Sequence, residues 1–120
     1  MTDAAPLDDF AGDVLDTVEA IPAGHVMSYG DIAEYLGRGG PRQVGRVLAT
    51  SGGAVPWWRV VHADGSLLAG HEHAALGHYR AEGTPLRTPA GGAAGGVASG
   101  TQRVDMRRAR WNGPLPQARP

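Results

Sequence analysis

The side chains that could support catalysis or metal binding are few and loosely arranged. Three of the five histidines, His71, His73 and His78, lie near Glu72 and could offer imidazole ligands. No thiolate or further cluster of acids accompanies them, as a zinc or nickel site would require. Ser28 lacks the strand-to-helix elbow of a nucleophilic serine, and the chain contains no cysteine. We therefore expect no metal and no cofactor, and we interpret the histidines as exposed loop residues.

The distribution of charge points to a polyanionic partner. The net charge is only −1, but all eleven basic residues are arginine. Residues 1–34 hold eight acids and no base, whereas residues 35–120 hold eleven arginines against four acids, a balance of +7. Such segregation predicts that one face of the protein binds a polyanion and that an acidic face points away from it.

Length and composition fit one cytosolic domain. The 120 residues are 42% hydrophobic and 19% charged, which is ordinary for a globular protein. No apolar run approaches the roughly 20 residues of a membrane helix, and the N-terminus lacks the pattern of a secretory signal. We expect a cytoplasmic protein, associated with the nucleoid if bacterial. We also expect a monomer, because no apolar stripe remains once the core is assigned.

Apolar spacing and capping signals predict three helices in the first half of the chain. Residues 7–20 place their apolar side chains on one helical face. Ser28 and Asp31 have the spacing of a capping box for a short second helix. A third helix is predicted to start at Pro41, which suits a first helical turn. The tight turn Gly37–Gly40 joins the last two helices, and this arrangement resembles a helix-turn-helix.

The second half predicts a small β-hairpin and one more helix. Residues 55–62 are rich in β-branched and aromatic side chains and predict a strand. Asp64-Gly65 is a hairpin signal, residues 66–68 predict the return strand, and residues 73–82 predict a helix. The expected fold is mainly α with a small β-hairpin, of the winged-helix type.

The chain divides by composition into three parts. Residues 1–86 are predicted to form the folded domain, and the Gly/Ala-rich residues 87–101 a flexible linker. Residues 102–120 form a basic tail, which we expect to pack on the domain through Trp111.

Two stretches, IPAGHVMSYGDIAEYLGRGGPRQVGRVL and VPWWRVVHADGSL, together resemble the DNA-binding domain of the O6-alkylguanine-DNA alkyltransferases. In that family the second stretch contains Pro-Cys-His-Arg-Val, and its cysteine accepts the alkyl group. Here Trp57 stands at the cysteine position and Trp58 at the histidine position. Tryptophan at the cysteine position marks the alkyltransferase-like proteins, which bind alkylated guanine without repairing it. Because indole is not a nucleophile, the resemblance implies a protein without enzymatic activity.

The resemblance also implies roles for individual residues. Tyr29 matches the tyrosine that crowds the target phosphate, and Arg42 matches the arginine that enters the vacated base stack. The implied lesion pocket consists of Leu48, Val55, Pro56, Trp57, Arg59 and Val60. The implied contacts to the DNA backbone are Arg38, Gln43, Gly45, Arg46 and Ser51.

Three further expectations concern the surroundings of the pocket. Arg59 is expected to tie the pocket strand to a neighbouring backbone, and Trp58 to pack into the core. Glu82 matches the glutamate that orients the family's histidine, a relay that Trp58 would break. The loop of residues 68–73 lacks the family's Ser-Gly-Gly pocket sequence.

Three classes of function remain open at this point. The resemblance favours a non-catalytic protein that binds O6-alkylguanine in double-stranded DNA and marks it for nucleotide excision repair proteins. The second class is a winged-helix transcription regulator, which would read bases in the major groove. The third is a protein-interaction domain without affinity for DNA, in which erosion at Tyr29 or Arg42 would be expected, and both are present.

Overall fold

The computed structural model describes residues 6–87 and 102–113. The predicted linker, apart from Arg87, and residues 114–120 of the tail lie outside the described residues. The helices and strands are α1 (Pro6–Ala20), β1 (Met27–Ser28), α2 (Tyr29–Leu36), α3 (Pro41–Ser51), β2 (Val60–Val61), α4 (Glu72–Glu82), β3 (Leu86–Arg87), β4 (Arg103–Val104) and α5 (Met106–Ala109). No helix among them is long and apolar enough to cross a membrane.

Helices α1 to α4 form where the sequence signals place them, whereas α5 lies in the predicted basic tail and was not expected. The capping box before α2 is present: Ser28 Oγ accepts from the N–H of Asp31, and the Asp31 carboxylate accepts from the N–H of Ser28, both at 2.9 Å. Gly37 closes this helix by donating its N–H to carbonyls of the last turn. Pro41 occupies the first turn of α3. The predicted helix-turn-helix is therefore formed by α2 and α3.

Two apolar clusters hold these elements together. The first joins the three N-terminal helices through Val14, Val18, Ile21, Ile32, Val44, Val55 and Val60, with smaller contributions around them. The second lies beneath α4 and α5 and contains Val26, Val61, Leu67, Ala75, Leu76, Tyr79, Val104 and Ala109. Strands β1 and β2 pair in parallel between the clusters. Met27 of β1 and Val60 of β2 belong to the first cluster, and Val61 of β2 belongs to the second. Ser28 of β1 forms the capping box of α2.

The strand predicted for residues 55–62 is wrong except at Val60–Val61. The 3₁₀ turn Trp57–Arg59 interrupts the predicted strand, and a second 3₁₀ turn, Gly52–Ala54, directly precedes it. The cause is local: Pro56 has no N–H for a ladder, and the N–H of Trp57 turns back to the carbonyl of Val55 at 2.6 Å. The β-branched and aromatic composition predicted extension, but the backbone hydrogen bonds close within the segment.

The predicted return strand at residues 66–68 is also not formed. The turn itself exists, because the N–H of Gly65 donates to the carbonyl of His62 at 2.8 Å. One hairpin hydrogen bond follows it, from the N–H of His62 to the carbonyl of Ser66 at 3.2 Å. The tail pairs with the same segment: Val104 donates to the carbonyl of Gly65 at 2.9 Å, and Ser66 forms a bridge with Arg103. Gly65 is required there, because a Cβ would lie 2.2 Å from the carbonyl oxygen of Val104.

Residues 102–113 run across the domain. Strand β4 pairs antiparallel with β3, and Val104 and Ala109 are fully buried in the second cluster. The N–H of Trp111 donates to the carbonyl of Val26 at 2.8 Å, and its side chain packs against the first cluster. This segment thus contacts both halves of the core.

Candidate nucleic-acid interface

A cavity of about 450 Å³ opens between the helix-turn-helix and the turn that carries Trp57. Its walls are Tyr29, Gly45, Leu48, Ala49, Gly52, Gly53, Trp57, Leu68, Ala69 and His71. The volume lies within the range of about 300–1,000 Å³ that is typical of small-molecule sites. The walls are apolar or small apart from the Tyr29 hydroxyl and the His71 imidazole. Such a cavity suits a flat aromatic guest.

Tyr29 stands at the start of α2 because Ser28 caps this helix. Its ring is half-buried against the first cluster and lies 5.2 Å from the ring of His62, centroid to centroid. Burial raises the pKa of the Tyr29 hydroxyl, so this hydroxyl remains a neutral hydrogen-bond donor at physiological pH. A donor at the mouth of a cavity can contact a phosphate oxygen without bringing a charge of its own.

Trp57 forms an aromatic wall of the cavity. Its ring is edge-on to Trp58 at 5.6 Å, and the rings of His71 and His78 lie 5.6 and 6.0 Å from it. These contacts place an apolar, polarisable surface at the position where the resemblance sets the acceptor cysteine. The wall can pack against an alkyl substituent, but it offers no nucleophile.

Glu82 of α4 clamps the turn behind this wall. Its carboxylate accepts from Arg59 Nε and Nη2 at 3.1 and 2.7 Å, and from Trp58 Nε1 at 2.9 Å. Arg59 Nη1 also donates to the carbonyl of Ile21 at 2.8 Å. Partial burial raises the pKa of Glu82, but the hydrogen bonds from Arg59, Trp58 and the N–H of Gly24, with the charge of Arg59, outweigh it and lower the pKa. The expected tie between Arg59 and a neighbouring backbone is thus confirmed.

Trp58 supplies Glu82 with a hydrogen-bond donor from its ring. Its indole N–H occupies the carboxylate, and its ring stacks on His78 at 3.6 Å with an interplanar angle of 5°. The ring packs against the second cluster, in agreement with the expected structural role. The relay that the resemblance implied has lost its basic nitrogen, but its hydrogen bond to Glu82 persists.

The arginines of the helix-turn-helix differ in their surroundings. Arg42 and Arg46 are exposed on α3, and neither forms an ion pair with any residue that the structure describes. Arg38, in the turn before α3, instead pairs with Asp13 and lies 5.5 Å from the centre of the Phe10 ring. Within the part of the chain that the structure describes, the charges of Arg42 and Arg46 are therefore uncompensated, whereas Arg38 is paired with Asp13.

The structure brings together part of the predicted site. Leu48 and Trp57 line the cavity beside Tyr29 and Gly45, and Gln43 and Ser51 are exposed at the two ends of α3. Four predicted pocket residues do not line the cavity, namely Val55, Pro56, Arg59 and Val60. Sequence reasoning missed the lining by Ala49, Gly52, Gly53, Leu68, Ala69 and His71. The Gly-Gly pair was the available signal, since glycines after a helix leave room for a guest.

Among the described residues, no group of three or more histidines, acids or cysteines is arranged to hold a metal ion. The expectation of three exposed loop histidines is wrong for His73 and His78, which lie in α4, and His78 is half-buried. The rings of His71 and His78 both pack near the ring of Trp57. Their role in this part of the chain is aromatic packing.

The comparison with protein families decides the ancestry of this arrangement. Residues 9–82 match the family model of the DNA-binding domain of 6-O-methylguanine DNA methyltransferase. The chain belongs to this family. The match spans the helix-turn-helix, the Trp57 turn and α4, and it confirms the resemblance seen in the sequence motifs.

Relatives in this family carry names that refer to base flipping and to alkyltransferase-like proteins. The DNA base-flipping protein of Escherichia coli strain K12 is 36% identical over 109 residues, covering 88% of this chain and 76% of that protein. Alkyltransferase-like protein 1 of Schizosaccharomyces pombe is 39% identical over 64 residues, covering 51% of this chain and 59% of that protein.

A solved structure in the family has the same fold. The crystal structure of S. pombe Atl1 in complex with damaged DNA containing O6-carboxymethylguanine matches with a TM-score of 0.69 at 27% identity. The match covers 87% of this chain and 95% of that chain. The predicted fold class, mainly α with small β elements in a helix-turn-helix domain of the alkyltransferase type, is therefore confirmed.

Proposed function

We propose that this protein binds O6-alkylguanine in duplex DNA and holds the modified base, without transferring the alkyl group. The observation that carries the proposal is the cavity of about 450 Å³ between Tyr29 and Trp57, next to the exposed arginines of α3. A base cannot reach such a cavity from within the stack, so the nucleotide has to rotate out of the duplex.

The proposed docking on DNA follows from the positions of the exposed arginines and of Gly45 on α3. Helix α3 lies in the minor groove, where Arg42 replaces the extruded base in the stack and Arg46 contacts a phosphate. Gly45 allows the DNA backbone to approach closely, and Gln43 and Ser51 donate to it from the two ends of the helix. Tyr29 contacts the phosphate of the rotated nucleotide. Arg38 contributes less, because Asp13 already neutralises it.

Binding without chemistry has an energetic requirement. Extrusion costs a few kcal/mol of unstacking, least where the base pair is already weak, and an O6-alkylguanine pair is weaker than a normal pair. Stacking on Trp57 and insertion of Arg42 have to offset the remaining cost. Alkyl transfer is absent because the chain has no cysteine and because the indole of Trp58 has no basic nitrogen that could accept a proton.

A protein that binds the lesion and leaves it intact serves repair only through others. The bound complex marks the lesion for nucleotide-excision-type repair proteins. We further propose that it acts as a monomer in the cytoplasm, associated with the nucleoid if bacterial.

The test compares two short duplexes that differ only in guanine and O6-methylguanine. Arg42→Ala is expected to weaken binding to the modified duplex by about 1–3 kcal/mol, or roughly five- to 150-fold, with little change in the folded state. Arg80→Ala removes an equal charge near the end of α4, away from the cavity, and serves as the control. Mass spectrometry of the duplex afterwards is expected to find the methyl group still on the base.

Each other outcome selects an alternative. Equal affinity for the two duplexes would indicate a winged-helix regulator without lesion specificity. No binding to either would indicate a protein-interaction domain. Loss of the methyl group from the DNA would contradict the absence of transfer.

A further inference from the structure

A second, smaller cavity of about 200 Å³ lies on the acidic side of α2, away from the first. Its walls are Met27, Asp31, Glu34, Tyr35, Trp111 and Asn112, and we call it the aromatic notch. Successive helical residues are rotated by about 100°, so the notch residues of α2 lie on average more than 120° around the helix from Tyr29. The aromatic notch and the first cavity therefore lie on different faces of α2 and share no lining residue.

The two aromatic walls of the notch are held in place from behind. Trp111 is fixed by its backbone hydrogen bond to Val26 and by packing on the first apolar cluster. Tyr35 is the large hydrophobic residue that remains exposed among those the structure describes, at 43%. Gly113 passes flat against the Tyr35 ring, since a Cβ there would lie 3.0 Å from two ring carbons. Tyr35 and Trp111 thus form a preformed aromatic surface facing solvent.

The charge at the notch is negative and partly uncompensated. The Asp31 carboxylate accepts from the N–H of Ser28 and from Arg110 Nε at 3.0 Å, so its charge is already paired. Glu34 is exposed at the rim, and no described residue forms an ion pair with it. An aromatic surface beside a free carboxylate is the chemistry that recognises an organic cation.

We infer that the aromatic notch binds an arginine side chain of a partner protein. A planar guanidinium can stack on Tyr35 or Trp111 while it donates two parallel hydrogen bonds to Glu34. The notch is smaller than the roughly 300 Å³ at which cofactor-sized sites begin, but it accommodates one side chain. This inference does not rest on the proposed lesion binding, because the two cavities lie on different faces of α2.

The probe is the capped tripeptide acetyl-Gly-Arg-Gly-amide, titrated into the full-length ¹⁵N-labelled protein and followed by NMR. The chain has three tryptophans, and their different surroundings are expected to separate their indole N–H signals, so the measurement has internal controls. We expect a saturable shift of the Trp111 signal while the Trp57 and Trp58 signals stay in place. The same peptide with citrulline, which is isosteric but uncharged, is expected to leave Trp111 unshifted.

Two variants separate charge from ring. Glu34→Gln is expected to weaken peptide binding roughly two- to fivefold, the range of an exposed ion pair. The matched control Glu19→Gln removes an exposed carboxylate of α1 and is expected to bind as the wild type does. Tyr35→Leu keeps an apolar side chain but removes the ring, and is expected to weaken binding as well. None of the three is expected to change the affinity for duplex DNA.

Several results would overturn the inference. Equal binding of the citrulline peptide, or equal binding by Glu34→Gln and wild type, would show that the notch does not recognise a guanidinium group. A Trp111 shift caused by duplex DNA would assign the notch to the DNA interface. A Trp111 shift caused by Arg119→Gln alone, without peptide, would assign it to this chain's own C-terminal segment. A Trp111 shift that depends on protein concentration would assign it to a second copy.

Discussion

Gly45→Ala adds one methyl group, and it is expected to change stability and DNA binding in opposite directions. Gly45 lies in the middle of α3 and lines the cavity. A Cβ added there would meet the Tyr29 ring at 3.9 Å, which is ordinary van der Waals contact. Glycine inside a helix costs roughly 0.5–1 kcal/mol relative to alanine. Gly45→Ala is therefore expected to raise the free energy of unfolding by about 1 kcal/mol, and the Tm by about 4–8 °C.

The same methyl group is expected to weaken DNA binding. If the DNA backbone approaches the Cα of Gly45, the methyl group occupies the contact, and the duplex has to move away from Arg42 and Tyr29 as well. A loss of about 1.4 kcal/mol or more corresponds to tenfold or more in Kd. Stability and affinity thus change in opposite directions, which a general disturbance of the fold does not produce.

A matched control comes from α4. Gly77 is exposed in that helix, and a Cβ there would meet nothing within 4 Å. Gly77→Ala is expected to stabilise the protein by a similar amount and to leave the Kd unchanged. Urea unfolding followed by tryptophan fluorescence gives the stability, and anisotropy of a labelled O6-methylguanine duplex gives the affinity. If Gly45→Ala bound DNA as Gly77→Ala does, the proposed approach would be wrong; if it unfolded more easily, the spacing to Tyr29 would be wrong.

The other predictions address the clamp, the arginines and the absent nucleophile. Glu82→Gln is expected to lower the free energy of unfolding by about 2–3 kcal/mol, because a charge-assisted donor loses its acceptor. The control Asp64→Asn changes an exposed carboxylate and should lower it by less than about 1 kcal/mol. Denaturant titrations of the two variants test this difference. The pKa of Glu82 is lowered on folding. The stabilisation from its carboxylate is therefore fully present above the unfolded pKa of about 4.3 and is lost as the pH falls through the folded pKa. The loss of unfolding free energy that Glu82→Gln causes at pH 7 should accordingly shrink below pH about 4. Arg46→Ala is expected to weaken duplex binding more than Arg38→Ala and to reduce the slope of log Kd against log salt by about one phosphate contact; equal slopes would refute this. Trp57→Cys alone is expected to take up no methyl group from O6-methylguanine DNA, because the adjacent position holds no base, and a labelled protein would contradict this.

Local signals were sufficient for helices α1 to α4 but not for α5, which lies in the segment predicted as a basic tail. The capping box at Ser28 and the proline at the start of α3 are short-range patterns, and the structure contains both. The paired elements required contacts that no local window contains. Val26 forms a bridge with Arg110, far along the chain, and the edge beyond Gly65 is taken by the tail. A hairpin was predicted there because the sequence shows the turn but not the competing partner.

The candidate site divides in the same way. The types of its principal residues, Tyr29, Arg42 and Trp57, were available from motifs. The shape of the cavity was not, because Leu68, Ala69 and His71 reach it from a loop that the tertiary fold brings opposite α3. The predicted pocket residue Val55 is instead buried in the first apolar cluster.

The clamp on Glu82 explains how a binding cavity can persist without the chemistry of the family. In the resemblance, the glutamate orients a histidine that activates a cysteine. Here the indole N–H of Trp58 provides the hydrogen bond to Glu82 at 2.9 Å, and Arg59 provides two more. These bonds fix the turn that carries Trp57, and they do not require the ring at position 58 to act as a base. A ring donor at position 58 thus keeps the hydrogen bond to Glu82, and with it the wall of the cavity, although the position no longer holds a base.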